Sequence, residues 1–167
     1  MSRLVLRNGN VFDSITGRLN NNQTVVIQDR TIHWVGSDNS YEQKNNDNII
    51  IVDGKTLIPG LMDLHVHLEY LHEFIYNFKR ALLRNKDAMF GYYALKNAQD
   101  HLKAGFTTLR DCGAIPFATS SLRNLINKGF FLGPRLLVSQ NLITQWESGR
   151  IRPTRLDHHV GKERGSN

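Results

Sequence analysis

The stretch Leu57-Ile58-Pro59-Gly60-Leu61-Met62-Asp63-Leu64-His65-Val66-His67 decides how the 167-residue chain is read. It carries Asp-x-His-x-His at a period of two. In a strand, residues i, i+2 and i+4 share one face. Asp63, His65 and His67 are therefore expected on one face, and Leu64, Val66 and Leu68 on the other. Two imidazoles side by side on an otherwise apolar strand are poor core material. Neutral imidazole is a good ligand for zinc and similar metals, and two of them at i, i+2 can reach one ion. His65 and His67 are candidate metal ligands, with Asp63 behind them as a candidate supporting group.

Toward the N-terminus the pattern is one of short strands and turns. Leu4-Val5-Leu6 and Val11-Phe12 flank Asn8-Gly9-Asn10, which predicts a turn between two short strands. Gln23–Ile27 is strand-like, Asp29-Arg30 predicts a tight turn, and Thr31–Gly36 is expected to pair back as a hairpin. A polar loop from Ser37 to Asn48 leads to the apolar run Ile49–Val52, closed by Asp53-Gly54-Lys55. Four or five strands in so short a segment bury little core alone. They are expected to pack on the C-terminal part of the chain or to await partner strands.

Toward the C-terminus, strand and helix alternate. The connection from Glu69 to Asn85 is rich in aromatics (Tyr70, Phe74, Tyr76, Phe78) and is read as packing or as a short helix over the mouth of a site. Asn85 is a plausible N-cap with Asp87 in the first turn. Ala88, Tyr92, Leu95, Ala98 and Leu102 recur near helical periodicity up to Gly105. Phe106–Arg110 is a strand ending at Asp111-Cys112-Gly113. Pro116 opens a second helix with Leu122, Leu125 and Ile126 on its core face, ended by Gly129. Arg135–Ser139 is the next strand. This β-α-β-α-β order suits right-handed crossovers, in an open parallel sheet or in a (β/α)₈ barrel. Asp111 is read either as a group steadying the histidines from behind or as a strand-end carboxylate capping a loop. Cys112 is read as a small, buried, apolar-like residue.

Composition excludes several classes. Hydrophobic residues make up 40% and charged residues 22%, as in globular chains. The net charge is +6, but no basic stripe interleaved with aromatics precedes the tail, so no nucleic-acid partner is expected. No apolar run of about 18 residues occurs, so no membrane partner is expected. The N-terminus lacks the apolar stretch of a signal peptide. The single cysteine excludes an internal disulfide. A cytoplasmic location is expected.

Ile58–His67 is joined, in order, by Ala104-Gly-Phe-Thr-Thr-Leu-Arg-Asp-Cys-Gly113 and Gly133-Pro-Arg-Leu-Leu-Val-Ser139. With these three segments the sequence resembles the amidohydrolase superfamily over residues 1 to about 145. The resemblance is nearest to its imidazolonepropionase-like and Xaa-Pro or Xaa-Arg dipeptidase branch. It implies an α/β fold: the N-terminal part of a metal-dependent (β/α)₈ barrel, preceded by a partial β-sandwich that such proteins build from both chain ends. The expected divisions are residues 1–57 for the partial sandwich, 58–145 for the first β/α units, and 146–167 for a divergent, disordered tail.

The resemblance also implies that His65 and His67 bind the more buried of one or two divalent metals, zinc above all; Asp63 and Asp111 stay candidate supporting groups on the reading of the residues given above. The family's other ligands are a lysine or glutamate after strand four, histidines after strands five and six, and an aspartate after strand eight that acts as base. None matches a residue here, and no catalytic residue is assigned. Intact relatives use a metal-activated water to hydrolyse C–N bonds in small amides or dipeptides, and an oligomer is allowed. The loss of pattern after Gln145 is read as truncation or a shift of reading frame. The alternative expectation is a catalytically inactive fragment or interaction module, with metal binding weak or absent.

Overall fold

Pro59-Gly60 marks the change from strand-and-turn to strand-and-helix sequence. In the computed structural model the chain divides beside it, into residues 1–61 and residues 62–167. The structure describes residues 3–70, 87–113 and 117–139. The Asn85 cap, the aromatic segment beyond Tyr70, Pro116 and the tail 146–167 lie outside the described residues.

The first unit is a five-stranded sheet: β1 (Arg3–Asp13), β2 (Arg18–Gln28), β3 (Thr31–Ser37), β4 (Asp47–Ile51) and β5 (Thr56–Leu57). The order is β3-β2-β1-β4, with β5 also beside β1. β2 lies antiparallel to both β1 and β3, whereas β4 and β5 run parallel to β1. The turn expected at Asp29 is present, with Asp29 in the left-handed region at φ 56°. The β1–β2 turn is built by Asp13, whose Oδ1 accepts the N–H of Ile15 (2.9 Å) and of Thr16 (3.3 Å). Gly17 closes that turn at φ 69°. Val5, Val25, Val26 and Thr24 are buried, while Ile32, Val35, Ile50 and Ile51 are exposed.

The predicted turn at Asn8-Gly9-Asn10 is a correction: this is one continuous strand of 11 residues. Its register shifts between Leu6 and Gly9 and again between Gly9 and Val11. Asn8 sits at φ 57°. The irregularity is a bulge at which β1 changes neighbour, from β4 (through Arg7) to β5 (from Asn10). Gly54 N–H donates to the Asn8 carbonyl (2.6 Å) and Asn10 N–H to the Lys55 carbonyl (2.9 Å). A Cβ on Gly9 would come 2.8 Å from Val52 Cγ2, so only glycine fits without a shift. Asn-Gly supports a bulge as readily as a hairpin turn, and the neighbouring strands select between them.

A charged network braces this sheet. Arg7 donates from Nε to Asp38 Oδ1 (2.9 Å) and from Nη2 to Oδ2 (2.7 Å). The Thr24 hydroxyl donates to the same carboxylate. Arg7 and then Thr24 hold the Asp38 carboxyl down at about 2. The Arg7 guanidinium also lies 5.1 Å from the Tyr41 ring centroid. The Tyr41 hydroxyl donates to Asp47, which faces Arg3 at 3.3 Å. Burial, and then the bond to Asp47, push the Tyr41 phenol up to about 12.

The second unit holds β6 (Leu61–Val66, from its second residue on), α1 (Asp87–Lys103), β7 (Phe106–Asp111), α2 (Ala118–Asn127) and β8 (Arg135–Val138). The sheet order is β6-β7-β8, and β7 pairs with β8 in parallel. Val66, Leu68, Ala94, Ala98, Leu109, Leu122 and Leu136 form its core, with Leu95, Phe106, Ile126 and Val138 packed against them. Val66 and Leu68 thus face inward as the alternation predicts, while Leu64 is exposed. Helix α1 buries Phe90, Ala94 and Ala98. The helical period places Tyr92 and Ala88 on this face, but both point to solvent. The small alanines let the helix backbone approach the sheet, which sets the inward stripe two positions away from the bulky tyrosine. Gly105 (φ 95°) and Gly129 (φ 78°) follow the two helices as expected.

Candidate functional site

The end of β6 and the turn after it hold the histidines. Backbone geometry brings the His65 and His67 rings together edge to face, with centroids 5.4 Å apart. His65 is exposed and His67 half-buried. His67 Nδ1 lies 2.9 Å from the Gly113 carbonyl oxygen. Only an N–H can make that contact, so Nδ1 carries a proton, and in the neutral imidazole Nε2 then keeps its lone pair for a ligand. Outer hydrogen bonds of this kind commonly fix the tautomer of metal-binding histidines. The Tyr70 ring stacks on the other side of His67, with centroids 5.1 Å apart and planes 22° from parallel.

Asp63 and Asp111 sit differently. Asp63 Oδ1 accepts the backbone N–H of His65 (3.0 Å) and so braces the strand on its own side. Asp111, at the end of β7, is 1% exposed. Its Oδ1 accepts Gly113 N–H at 3.1 Å, and its carboxylate also accepts the N–H of Leu68. One side chain therefore ties down the residue after His67 and the residue whose carbonyl receives the His67 proton. Burial pushes the Asp111 carboxyl up; the Gly113 and Leu68 amides, and then His67, oppose that rise. The Tyr70 phenol is pushed up to about 12, first by burial and then by the nearby Glu69 and Asp111 charges.

Neighbouring backbone joins the two strands. Cys112 N–H donates to the Val66 carbonyl (3.0 Å) and Arg110 Nε to the Leu64 carbonyl (2.5 Å). Cys112, half-buried, faces the Leu64 carbonyl at 3.5 Å. From α1, Asn97 Nδ2 donates to the carbonyls of Leu68 (2.6 Å) and Tyr70 (2.9 Å). The roles of Asn97, Tyr70 and the Gly113 carbonyl were not visible in the sequence. The one local signal was a mid-helix asparagine, a residue that competes with helix hydrogen bonding and is usually placed there for a reason.

Two nitrogen donors, one with its lone pair freed by a hydrogen bond behind it, suit a divalent metal such as zinc. Zinc sites draw three or four ligands from protein. Among the described residues no group of three His, Cys, Asp or Glu side chains gathers to hold an ion. Two donors of the right chemistry are present, and any further ligands have to come from outside the described residues. Among the described residues, no helix is long and apolar enough to cross a membrane.

Comparison with known proteins places these features in context. A profile of the amidohydrolase family matches residues 56–165. The adenine deaminase of Brucella anthropi is 32% identical over 80 residues, covering 48% of this chain and 13% of that protein. The adenine deaminase of Cereibacter sphaeroides is 38% identical over 66 residues, covering 40% and 11%. Among solved structures, an amidohydrolase superposes with TM-score 0.71 at 31% identity, over 84% of this chain and 32% of its own. A prolidase complexed with N-methylphosphonate-L-proline gives 0.68 at 31%, over 83% and 32%. Molinate hydrolase gives 0.76 at 26%, over 85% and 30%. The chain thus spans 11–13% of these curated relatives and 30–32% of these solved chains. The family is metal-dependent in general, and its members named here act on small molecules such as adenine or dipeptides. The family match takes in more than half of the sequence, and the fold is the expected α/β one, strands of a partial β-sandwich followed by the opening of a barrel: the chain belongs to the amidohydrolase family.

Proposed function

We propose that His65 and His67 hold a divalent metal, zinc by preference, in a hydrolase that cleaves carbon–nitrogen bonds of small amides or dipeptides. The observation that carries this reading is the His67 Nδ1 contact with the Gly113 carbonyl, which leaves Nε2 free beside the His65 ring. Family membership and the likeness to a prolidase support the reaction class. A bound metal of this kind supplies a water of lowered pKa and polarises the scissile carbonyl. The chain's own residues orient the site. Gly113 sets the His67 tautomer, Asp111 pins Gly113 and Leu68, and Asp63 braces the His65 backbone. The reading extends to a complete barrel of dipeptidase-like enzymes, in which later β/α units supply the remaining ligands. The single cysteine supports a cytoplasmic setting.

One observation favours a second reading, an inactive fragment or interaction module: among the described residues only two metal donors meet. One experiment separates the two. The full chain is equilibrated with zinc, its stoichiometry is measured by mass spectrometry, and adenine and a dipeptide panel are tested for hydrolysis. Stoichiometric zinc, lost in both His65→Ala and His67→Ala, supports the metal site. Turnover of any substrate rules out the inactive reading. Zinc retained unchanged in both variants sinks the assignment of the two histidines.

A further inference from the structure

We infer that Asn97, on α1, is a positioning residue for the His67 imidazole. It acts through the turn that follows the histidine pair. The inference deepens the metal-site reading and rests on it for its purpose, although the geometry that carries it does not involve a metal.

Asn97 lies inside a 17-residue helix, far from either end. Asparagine is a poorer helix former than alanine, because its amide competes with the backbone. Here the amide does not turn back on its own helix. Both hydrogens of Nδ2 are used 27 to 29 residues away in sequence, on the Tyr70 and Leu68 carbonyls. A leucine offers no donor, and an aspartate of the same shape would set a carboxylate against two carbonyl oxygens. The helix is braced where it presents this side chain: the Asn97 carbonyl meets His101 Nδ1 at 2.7 Å, and the His101 ring meets Phe106 edge to face at 5.9 Å.

The two carbonyls are the ones that matter for His67. Leu68 is its immediate neighbour. The Leu68 N–H is taken by Asp111 from β7 and the Leu68 carbonyl by Asn97 from α1, so the peptides on both sides of that residue are held. Tyr70 N–H closes the turn on the His67 carbonyl at 3.3 Å, and the Tyr70 ring stacks on the His67 ring. Fixing the Tyr70 carbonyl therefore fixes the plane against which His67 lies. With one face covered by Tyr70 and Nδ1 on Gly113, the imidazole has one orientation left, with Nε2 outward.

The test uses the full chain labelled with nitrogen-15, first without metal. Long-range nitrogen–proton correlation reads the His67 tautomer in wild type, Asn97→Leu, Asn97→Asp and the core control Leu109→Ala. Wild type and the control are expected to show a single Nδ1–H tautomer, while both Asn97 variants drift toward the averaged signals of a free imidazole. Zinc titration is then expected to weaken by about tenfold or more in the Asn97 variants, the range typical of lost outer-shell partners. Should Asn97→Leu not fold, the same-shape Asn97→Asp is read alone. If neither folds, the Asn97 side-chain amide in the folded wild type decides: rapid exchange of its Nδ2 hydrogens would overturn the inference, and slow exchange would support it. A His67 tautomer and zinc Kd within twofold of wild type in either variant would overturn it, as would an unfixed tautomer in wild type itself. If wild type binds no zinc, the metal reading fails while the tautomer measurement still decides the role of Asn97.

Discussion

Replacing Asp111 by alanine tests how the second unit holds its histidine turn. The carboxylate is 1% exposed and accepts the Gly113 N–H at 3.1 Å and the Leu68 N–H. Both donors sit on buried residues, so the alanine variant leaves them without an acceptor. Each orphaned buried donor costs about 1–3 kcal/mol, so the pair costs about 2–6 kcal/mol. Removing a carboxylate whose burial already disfavours its charge returns part of that, which leaves a net loss of about 2–4 kcal/mol. Asp111→Asn keeps one acceptor oxygen and sheds the buried charge, so its cost should be nearer 1 kcal/mol. The assay is urea unfolding followed by circular dichroism, with amide exchange to localise the effect. Protection at Leu68 and Gly113 should fall in Asp111→Ala while the amides of β1 keep theirs. The pH dependence has a defined sign. The Asp111 carboxyl is raised in the folded state, so its contribution to stability is fully present below the unfolded value and is lost as pH rises through the folded one. Wild type should therefore lose ground to Asp111→Asn as pH rises through that window. An alanine variant as stable as wild type, or an asparagine variant that loses ground instead, would refute the reasoning.

Three further outcomes are expected. Asp38→Asn removes the carboxylate paired with Arg7, whose pair is partly exposed at 28% and 16%; after discounting for screening the loss is about 1–2 kcal/mol at neutral pH. Because the folded Asp38 sits at about 2, below its ordinary 3.8, that loss should shrink as pH falls from 3.8 toward 2. A denaturation series in which it grows instead contradicts the pairing. Leu109→Ala, at a fully buried site in the second core, should cost about 2–5 kcal/mol, and a midpoint in urea unchanged from wild type would place that core elsewhere. Phe117 precedes α2 at φ 71° and is 64% exposed, so Phe117→Gly should gain about 1 kcal/mol by relieving left-handed strain; a thermal melt showing no gain argues against that strain.

Much of the fold was legible because it follows from local preferences. Asp29 tolerates the left-handed turn between β2 and β3, and Gly105 and Gly129 stop helices for the same reason. Alternation set Val66 and Leu68 inward and brought the two histidine rings together at the end of β6. Elsewhere local preference was ambiguous. Asn8-Gly9 satisfies both a hairpin turn and a bulge, and Ala88, Tyr92 and Leu95 satisfy a helical period whose phase the sheet shifts.

The sequence by itself determined that a strand carries His65 and His67, that helix and strand alternate after it, and that the chain resembles an amidohydrolase. All of this lies in neighbouring side chains and the dihedrals they allow. Only the tertiary structure decided which nitrogen of His67 is free, because that depends on a carbonyl 46 residues away. It alone decided that β1 is one bulged strand and not two, because β4 and β5 lie along its successive halves. It alone brought Asp111 and Asn97 to opposite sides of Leu68. Hydrogen bonds of this range depend on which elements pack together, and no residue's immediate neighbours encode that.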